Sequence, residues 1–251
     1  CGNYCKIADG AYGICKQHKY INGELFDESF GIVSSLNVDP IEKKPLYHFL
    51  PGTLTYSVGG FGCNMGCLHC QNYMISQEFD KISDRFNILP ETIVENAINQ
   101  GCKSIAWTYN EPTIHLPFNK KTSLLGRRKN LKIIYVSNGY MSSQALSEIL
   151  EFVDAFNIDL KSMSQNFYKK ICKADLNIFL DNLKRIYDAD KHLEITNLLI
   201  NGYNDSTEEI TKLANFIADN LGCDIPLHFS RAFPYYKLND ILPTAEDKLF
   251  E

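Results

Sequence analysis

The chain has 251 residues, enough for one large domain or two small ones, and its 45% hydrophobic and 22% charged content is ordinary for a globular protein. A net charge of −5 excludes a nucleic-acid binder driven by phosphate neutralisation. No apolar run approaches the ~18 residues of a membrane span, and no signal-peptide pattern opens the chain. The nine cysteines are odd in number and clustered, which points to metal chemistry in a reducing cytoplasm rather than a disulfide framework.

Residues 1–50 carry Cys1, Cys5 and Cys15, five of the fifteen glycines and no helical stripe. They read as a loop-rich amino-terminal lobe with a β-hairpin over 20–30 turned at Asn22-Gly23. Residues 51–251 read as the core domain. Strands are predicted over 54–58, 104–108, 131–136, 155–160, 193–200 and 226–232. Helices are predicted over 90–100, 142–152, 165–171 with 177–188, and 206–221. The slot at 115–130 is a weaker helix, basic at Lys120, Lys121, Arg127, Arg128 and Lys129. Asp205 or Ser206 caps the helix after the fifth strand, with Glu208 and Glu209 in its first turn. Because the chain opens on Cys1 and closes in the start of a helix over 243–251, sequence is expected beyond both ends. Six strands alternating with helices predict an α/β fold with a parallel sheet, closed as a partial (β/α)6 barrel. In such barrels the chemistry sits at the carboxyl ends of the strands.

After the first strand comes Gly59-Gly60-Phe61-Gly62, then Cys63, Cys67 and Cys70 in a C-x3-C-x2-C pattern. Three thiolates on one short loop can hold three irons of a [4Fe-4S] cube and leave the fourth open, whereas closed clusters take four cysteines. The alternatives are a zinc knuckle or three unrelated cysteines, but three-ligand zinc sites usually draw on His or carboxylate from other segments. Further polar groups follow later strands: Asn110 and Glu111; Ser137, Asn138 and Gly139; Asp159 and Lys161; Asn197; and His228 and Arg231. Asp159 and Lys161 alternate with Ile158 and Leu160, which puts both charges on one face.

The cysteine spacing resembles the signature of the radical S-adenosylmethionine (SAM) enzymes. The resemblance implies an open iron chelated by the amino and carboxylate groups of SAM, and cleavage of SAM to methionine and a 5′-deoxyadenosyl radical that abstracts hydrogen from a protein or small-molecule substrate. It implies that His69, preceding the third cysteine, contacts adenine; a solvent-exposed loop His is the alternative. Glu111 would receive the SAM ammonium with Asn110 as a second contact, although the usual glycine pair is absent; a helix-terminal role before Pro112 is the other reading. Asn138-Gly139 and Asp159-Leu160-Lys161 resemble the glycyl-radical activases typified by pyruvate formate-lyase activating enzyme. That likeness implies Lys161 on the SAM carboxylate and Asp159 as a cation ligand, with Ser137 where the activase has an Asp. By the same analogy Asn197 touches the ribose or is a polar strand residue. His228 and Arg231 serve the cofactor or are structural, and Tyr236 stands where the activase has a SAM-contacting His.

The run 38–52, with Tyr109-Asn110-Glu111-Pro112 and His228-Phe229-Ser230-Arg231, looks like the radical SAM protein of the AmmeMemoRadiSam system. Members often begin with a four-cysteine segment, whose last three match Cys1, Cys5 and Cys15; these imply a second metal, structural zinc or an auxiliary cluster. Cys172 reads as a reactive thiol. The implied partners are a one-electron donor such as flavodoxin or ferredoxin and, by association, a Memo-type or AMMECR-type protein; no nucleic acid or membrane is expected. Alternatives are a glycyl-radical-enzyme activase, a non-catalytic iron–sulfur redox protein and a zinc-dependent scaffold.

Overall fold

The structure is a computed structural model and describes residues 1–82 and 85–249. β1 (His18–Ile21) and β2 (Glu24–Asp27) form the expected hairpin. Its turn places Asn22 and Gly23 at φ 52° and 90°, the doubly left-handed geometry of a two-residue hairpin loop. The short β3 (Ile32–Val33) leads into β4 (Ser35–Pro40) and β5 (Leu54–Gly59). After the cysteine loop come α1 (Tyr73–Ser76), β6 (Phe86–Asn87), which pairs with β3, and α2 (Pro90–Asn99). The βα alternation continues with β7 (Ser104–Trp107), α3 (Leu116–Arg127), β8 (Lys132–Ser137), α4 (Ser143–Leu150) and β9 (Ala155–Asp159). α5 (Gln165–Phe167) runs into a π-turn, Tyr168–Cys172; α6 (Leu176–Asp188), β10 (His192–Leu199), α7 (Thr207–Asn220) and β11 (Leu227–Arg231) complete the unit.

The main sheet has seven strands in the order β11-β10-β9-β8-β7-β5-β4. The six predicted strands are its parallel members, and β4 adds an antiparallel edge beside β5. α4, α6 and α7 start at a side-chain cap: Ser142 accepts from Ala145 N, Asp175 from Asn177 N and Ser206 from Glu209 N. The basic slot is a full helix, α3. Its buried face is largely polar (Asn119, Thr122, Ser123), with Trp107 Nε1 donating to Ser123 Oγ at 2.9 Å, so its apolar periodicity is weak. Over 243–251 the described residues hold a 3-10 turn, Glu246–Leu249, and Phe250 and Glu251 lie outside them.

Most of the core lies between the sheet's helix-facing side and its helices, including Ile105, Trp107, Ile133, Tyr135, Phe156 and Ile195. The other face carries a second small cluster. Ala106, Ile134 and Ala155 from three adjacent strands pack on Ile41 and Leu46, with Phe49 and Leu50 against them. Burying Ile41 and Leu46 fully contributes about 1.5–3 kcal/mol each. The small alanines leave room for this plug at the amino ends of the strands. Residues 35–50, expected within the amino-terminal lobe, are thus built into the sheet and its base, and the expected division at residue 50 runs through this packing. Asp39 holds the plug from the side. It accepts from Lys44 Nζ and Tyr109 Oη at 2.6 Å each and from Lys43 Nζ at 3.0 Å. Burial works against its charge, but these donors hold the carboxyl well below its usual range.

Candidate active site at the strand ends

The cysteine loop leaves β5 through Gly59-Gly60-Phe61-Gly62. A Cβ on Gly60 would stand 2.3 Å from His115 Nε2; one on Gly62, at φ +83°, would stand 2.5 Å from the Cys15 carbonyl. Only glycine lets the backbone pass both. Asn110 clamps this turn: Gly60 N donates to its Oδ1 and its Nδ2 donates to Gly62 O, both at 2.9 Å. Asn110 is in turn held by His115, whose Nε2 lies 3.2 Å from Asn110 Nδ2 and whose Nδ1 lies 2.8 Å from Ser29 Oγ. Ser29 Oγ already donates to Asp27, so His115 is the Nδ1–H tautomer. Burial pushes its pKa down to about 4.

Downstream, the π-turn docks its backbone on the loop: Gly66 N donates to Cys172 O at 3.1 Å and Leu68 N to Ile171 O at 2.9 Å. Cys63 Sγ accepts from Met65 N at 3.4 Å and from Asn138 Nδ2 at 3.6 Å. Burial pushes the Cys63 thiol up, and Cys70 up to about 11; Cys67 is pushed up by its bond with Cys172 and by burial. All three are partly exposed to the cavity they line, and three thiolates on one short loop need a compensating cationic centre.

The loop faces a cavity of about 350 Å³ lined by Cys63, Cys67 and Cys70 and by expected residues from three other elements. His69, Asn110, Glu111, Ser137, Asn138, Asp159 and Lys161 all reach it. Glu111 is buried and accepts from Thr113 N at 2.9 Å, Ser137 Oγ at 2.9 Å and Asn138 N at 2.8 Å. It therefore caps the turn after β7 and also lines the cavity; burial raises its pKa. Lys161 Nζ donates to Asp159 Oδ2 at 2.9 Å. Burial opposes the Lys161 charge, but Asp159 and the thiols of Cys67 and Cys172 outweigh it and push the ammonium's pKa up. His69 is buried, its pKa pushed down to about 3 by burial and by Lys161, and its Nδ1 has no partner. An unpartnered ring nitrogen, a carboxylate and an ammonium around one cavity form a donor set that fits the adenine, amino and carboxylate groups of SAM.

Three expected residues lie elsewhere. Asn197 points to the helix side of β10, opposite to the cavity-lining Thr196 and Leu198, and its Nδ2 donates to Leu160 O at 2.7 Å. His228 sits at the start of β11 with Nε2 2.6 Å from Glu194 Oε2, at the base of the sheet. Arg231 donates to Thr244 O at 2.8 Å and pairs with Glu246, away from the cavity. Strand alternation gave the right face for His228 but could not give its height along the barrel. Among the described residues, Cys1, Cys5 and Cys15 do not gather within 4.8 Å of one another, and Cys15 Sγ instead lies 3.4 Å from His18 Nδ1. Asn64 and Asn72 were missed as site residues. Asn64 Nδ2 donates to Tyr140 O at 2.7 Å and Asn72 Nδ2 to Tyr109 O at 2.6 Å, bracing the loop against two strand ends. Their place inside the cysteine motif was the only signal.

The sequence profile of the Radical SAM superfamily matches residues 57–217, from the strand that feeds the cysteine loop to the helix after β10. The chain belongs to the radical SAM superfamily. The chemistry of that superfamily rests on a [4Fe-4S] cluster and SAM. The chain is 42% identical to an uncharacterised protein of Methanocaldococcus jannaschii over 250 residues, 99% of this chain and 74% of that one. It is 22% identical to the 4-hydroxyphenylacetate decarboxylase activating enzyme of Clostridioides difficile over 59% of this chain; it spans 46% of that enzyme. The fold is similar to that of Streptococcus suis SuiB bound to S-adenosylmethionine, with a TM-score of 0.57 and 14% identity over 74% of this chain and 42% of that one. As in other radical SAM proteins, the sheet is mostly parallel, and no helix among the described residues is long and apolar enough to cross a membrane.

Proposed function

We propose that this chain is a radical SAM enzyme in which Cys63, Cys67 and Cys70 hold a [4Fe-4S] cluster and the strand-end cavity holds SAM. The observation that carries the reading is the convergence of Glu111 and Lys161, from opposite sides of the sheet's centre, on the cavity that the three cysteines line. When bound, the reduced cluster supplies the electron that cleaves SAM to methionine and a 5′-deoxyadenosyl radical. The protein's own groups do the positioning. Glu111 receives the ammonium of SAM, and Lys161, oriented by Asp159, receives its carboxylate. His69 offers its free ring nitrogen to adenine. Asn110 and Asn138 act on the cofactor indirectly, one by fixing the glycine turn and one by donating to the Cys63 sulfur. Asp159 is spent on Lys161, which supports an orienting role over a cation site.

The substrate is a protein or a small molecule that meets the radical at the cavity mouth. Likeness of the 38–52 run to the AmmeMemoRadiSam proteins supports a Memo-type or AMMECR-type partner, and flavodoxin or ferredoxin fits as electron donor. A second reading, activation of a glycyl-radical enzyme, is favoured by the similarity to the decarboxylase activating enzyme. None of the nine cysteines is in a disulfide, which supports a reducing cytoplasm. The test is anaerobic reconstitution, dithionite reduction and quantification of 5′-deoxyadenosine. Product well above a Cys67→Ala control is expected; none would leave an iron–sulfur protein without SAM chemistry. Candidate partners added to the active mixture, followed by mass spectrometry of the modified residue, separate the two substrate readings.

A further inference from the structure

At the opposite end of the sheet from the cysteine loop, Glu194 is fully buried with an ionisable environment of its own. Its Oε1 lies 2.9 Å from His192 Nε2 and accepts from His48 N at 2.9 Å. Its Oε2 lies 2.6 Å from His228 Nε2 and 3.4 Å from His48 Nδ1, and accepts from Tyr47 N at 3.1 Å. These contacts outweigh the burial that works against its charge and hold its pKa down to about 2. The carboxylate is ringed by three imidazoles from two strands and the plug.

The geometry points to a divalent-cation site, of zinc type, formed by His48, Glu194 and His228. One donor atom from each lies within 4.8 Å of the other two, and no other set of three His, Cys, Asp or Glu donors among the described residues does so. A zinc ion with ligands at ~2.0–2.1 Å in a tetrahedron separates its donors by roughly 3.3 Å. The His48–Glu194 distance of 3.4 Å already matches, and the His228–Glu194 contact of 2.6 Å is less than one ångström shorter. Two imidazoles and one carboxylate form a three-ligand zinc set that leaves a fourth position for water. Contacts that orient the carboxylate are present. His192 and the Tyr47 and His48 amides hold the carboxylate, and the His48 and His228 rings stack with centroids 6.5 Å apart. An entry path is also present: a cavity of about 330 Å³ opens beside His48 and His192, with Asp190 and Asp224 on its wall. Bound there, the ion ties the plug to β10 and β11, the last two strands of an open sheet, at the end where radical chemistry does not occur.

The test uses the anaerobically reconstituted full chain, stripped with a chelator that spares the cluster and then given Zn(II) or Co(II) alone. The wild type is expected to bind one more equivalent of zinc than His48→Ala, chosen because the His48 side chain is mostly exposed; equal circular dichroism of the two shows that the variant folds. The extra zinc should show only nitrogen and oxygen neighbours by X-ray absorption, and the extra cobalt should show d–d bands without thiolate charge transfer. Zinc should also raise the thermal midpoint of the wild type and leave that of His48→Ala unchanged. Equal zinc in the two proteins, or a sulfur shell on the extra ion, overturns the proposal and leaves the cluster as a hydrogen-bonded anchor for a buried carboxylate.

Discussion

Asn138 and Lys161 show how single side chains divide the work around the cavity. Asn138 Nδ2 donates to the Cys63 sulfur and to Asn64 Oδ1, and its own Oδ1 accepts from Tyr140 N. A donor on a cluster sulfur stabilises the more negative, reduced state. Asn138→Ala should therefore keep the cluster but move its midpoint potential to a more negative value, read by redox titration with optical or paramagnetic detection. Lys161 touches no loop backbone with its ammonium, and Lys161→Met should leave iron content unchanged while SAM affinity falls about tenfold to a hundredfold, as expected for losing a bond between charged groups. Equilibrium binding to the reconstituted protein measures it. The charged members of the site were legible in the sequence because Asp and Lys at a strand end are costly without a purpose. The asparagines were harder. Asn110, Asn138 and Asn197 look alike in sequence, yet the first clamps a turn, the second serves a sulfur and the third bonds a backbone carbonyl behind the sheet.

Elements set the cysteine loop from two sides. From the amino-terminal side, the chain Ser29–His115–Asn110 fixes the glycine turn. Gly60→Ala drives a methyl into the His115 ring and should cost about 1–3 kcal/mol and much of the iron content, read by thermal midpoint and iron analysis. His115 is neutral in the folded state because burial lowers its pKa from 6.5 to about 4. As pH falls below 6.5 the unfolded chain takes up a proton that the folded chain refuses. Stability is thus full above pH 6.5 and drops by ~3 kcal/mol by pH 4 from this residue alone. The slope of thermal midpoint against pH over that window should flatten in His115→Gln. From the other side, the π-turn Tyr168–Cys172 presents Cys172, fully buried, against Cys67. That burial argues against the reactive thiol expected from sequence. The parallel strands were legible because each is a compact apolar run between helix caps. β4 was not: Ser35–Pro40 is polar, ends in proline and pairs only at the sheet's edge, where no alternation is enforced.

The whole molecule is an open parallel barrel with two differently built ends. Its upper end gathers thiols, the carboxylates of Glu111 and Asp159 and the Lys161 ammonium around a cavity; its base is sealed by the apolar plug and the Glu194–histidine cluster. The barrel and its cysteine loop could be read from strand spacing and one motif, because both are local patterns. The closure of the base could not, since it joins residues near 48 to residues near 194 and 228, separations that no local pattern records. The central claim is that the cysteine loop holds a cluster with an iron free to take SAM. Paramagnetic resonance of the dithionite-reduced protein, recorded with and without SAM, tests it most directly. The account predicts about four irons per chain assigned to this loop, lost in Cys63→Ala, and a reduced-cluster spectrum whose g-values shift when SAM is added. A spectrum indifferent to SAM, or a cluster that survives Cys63→Ala unchanged, would contradict it.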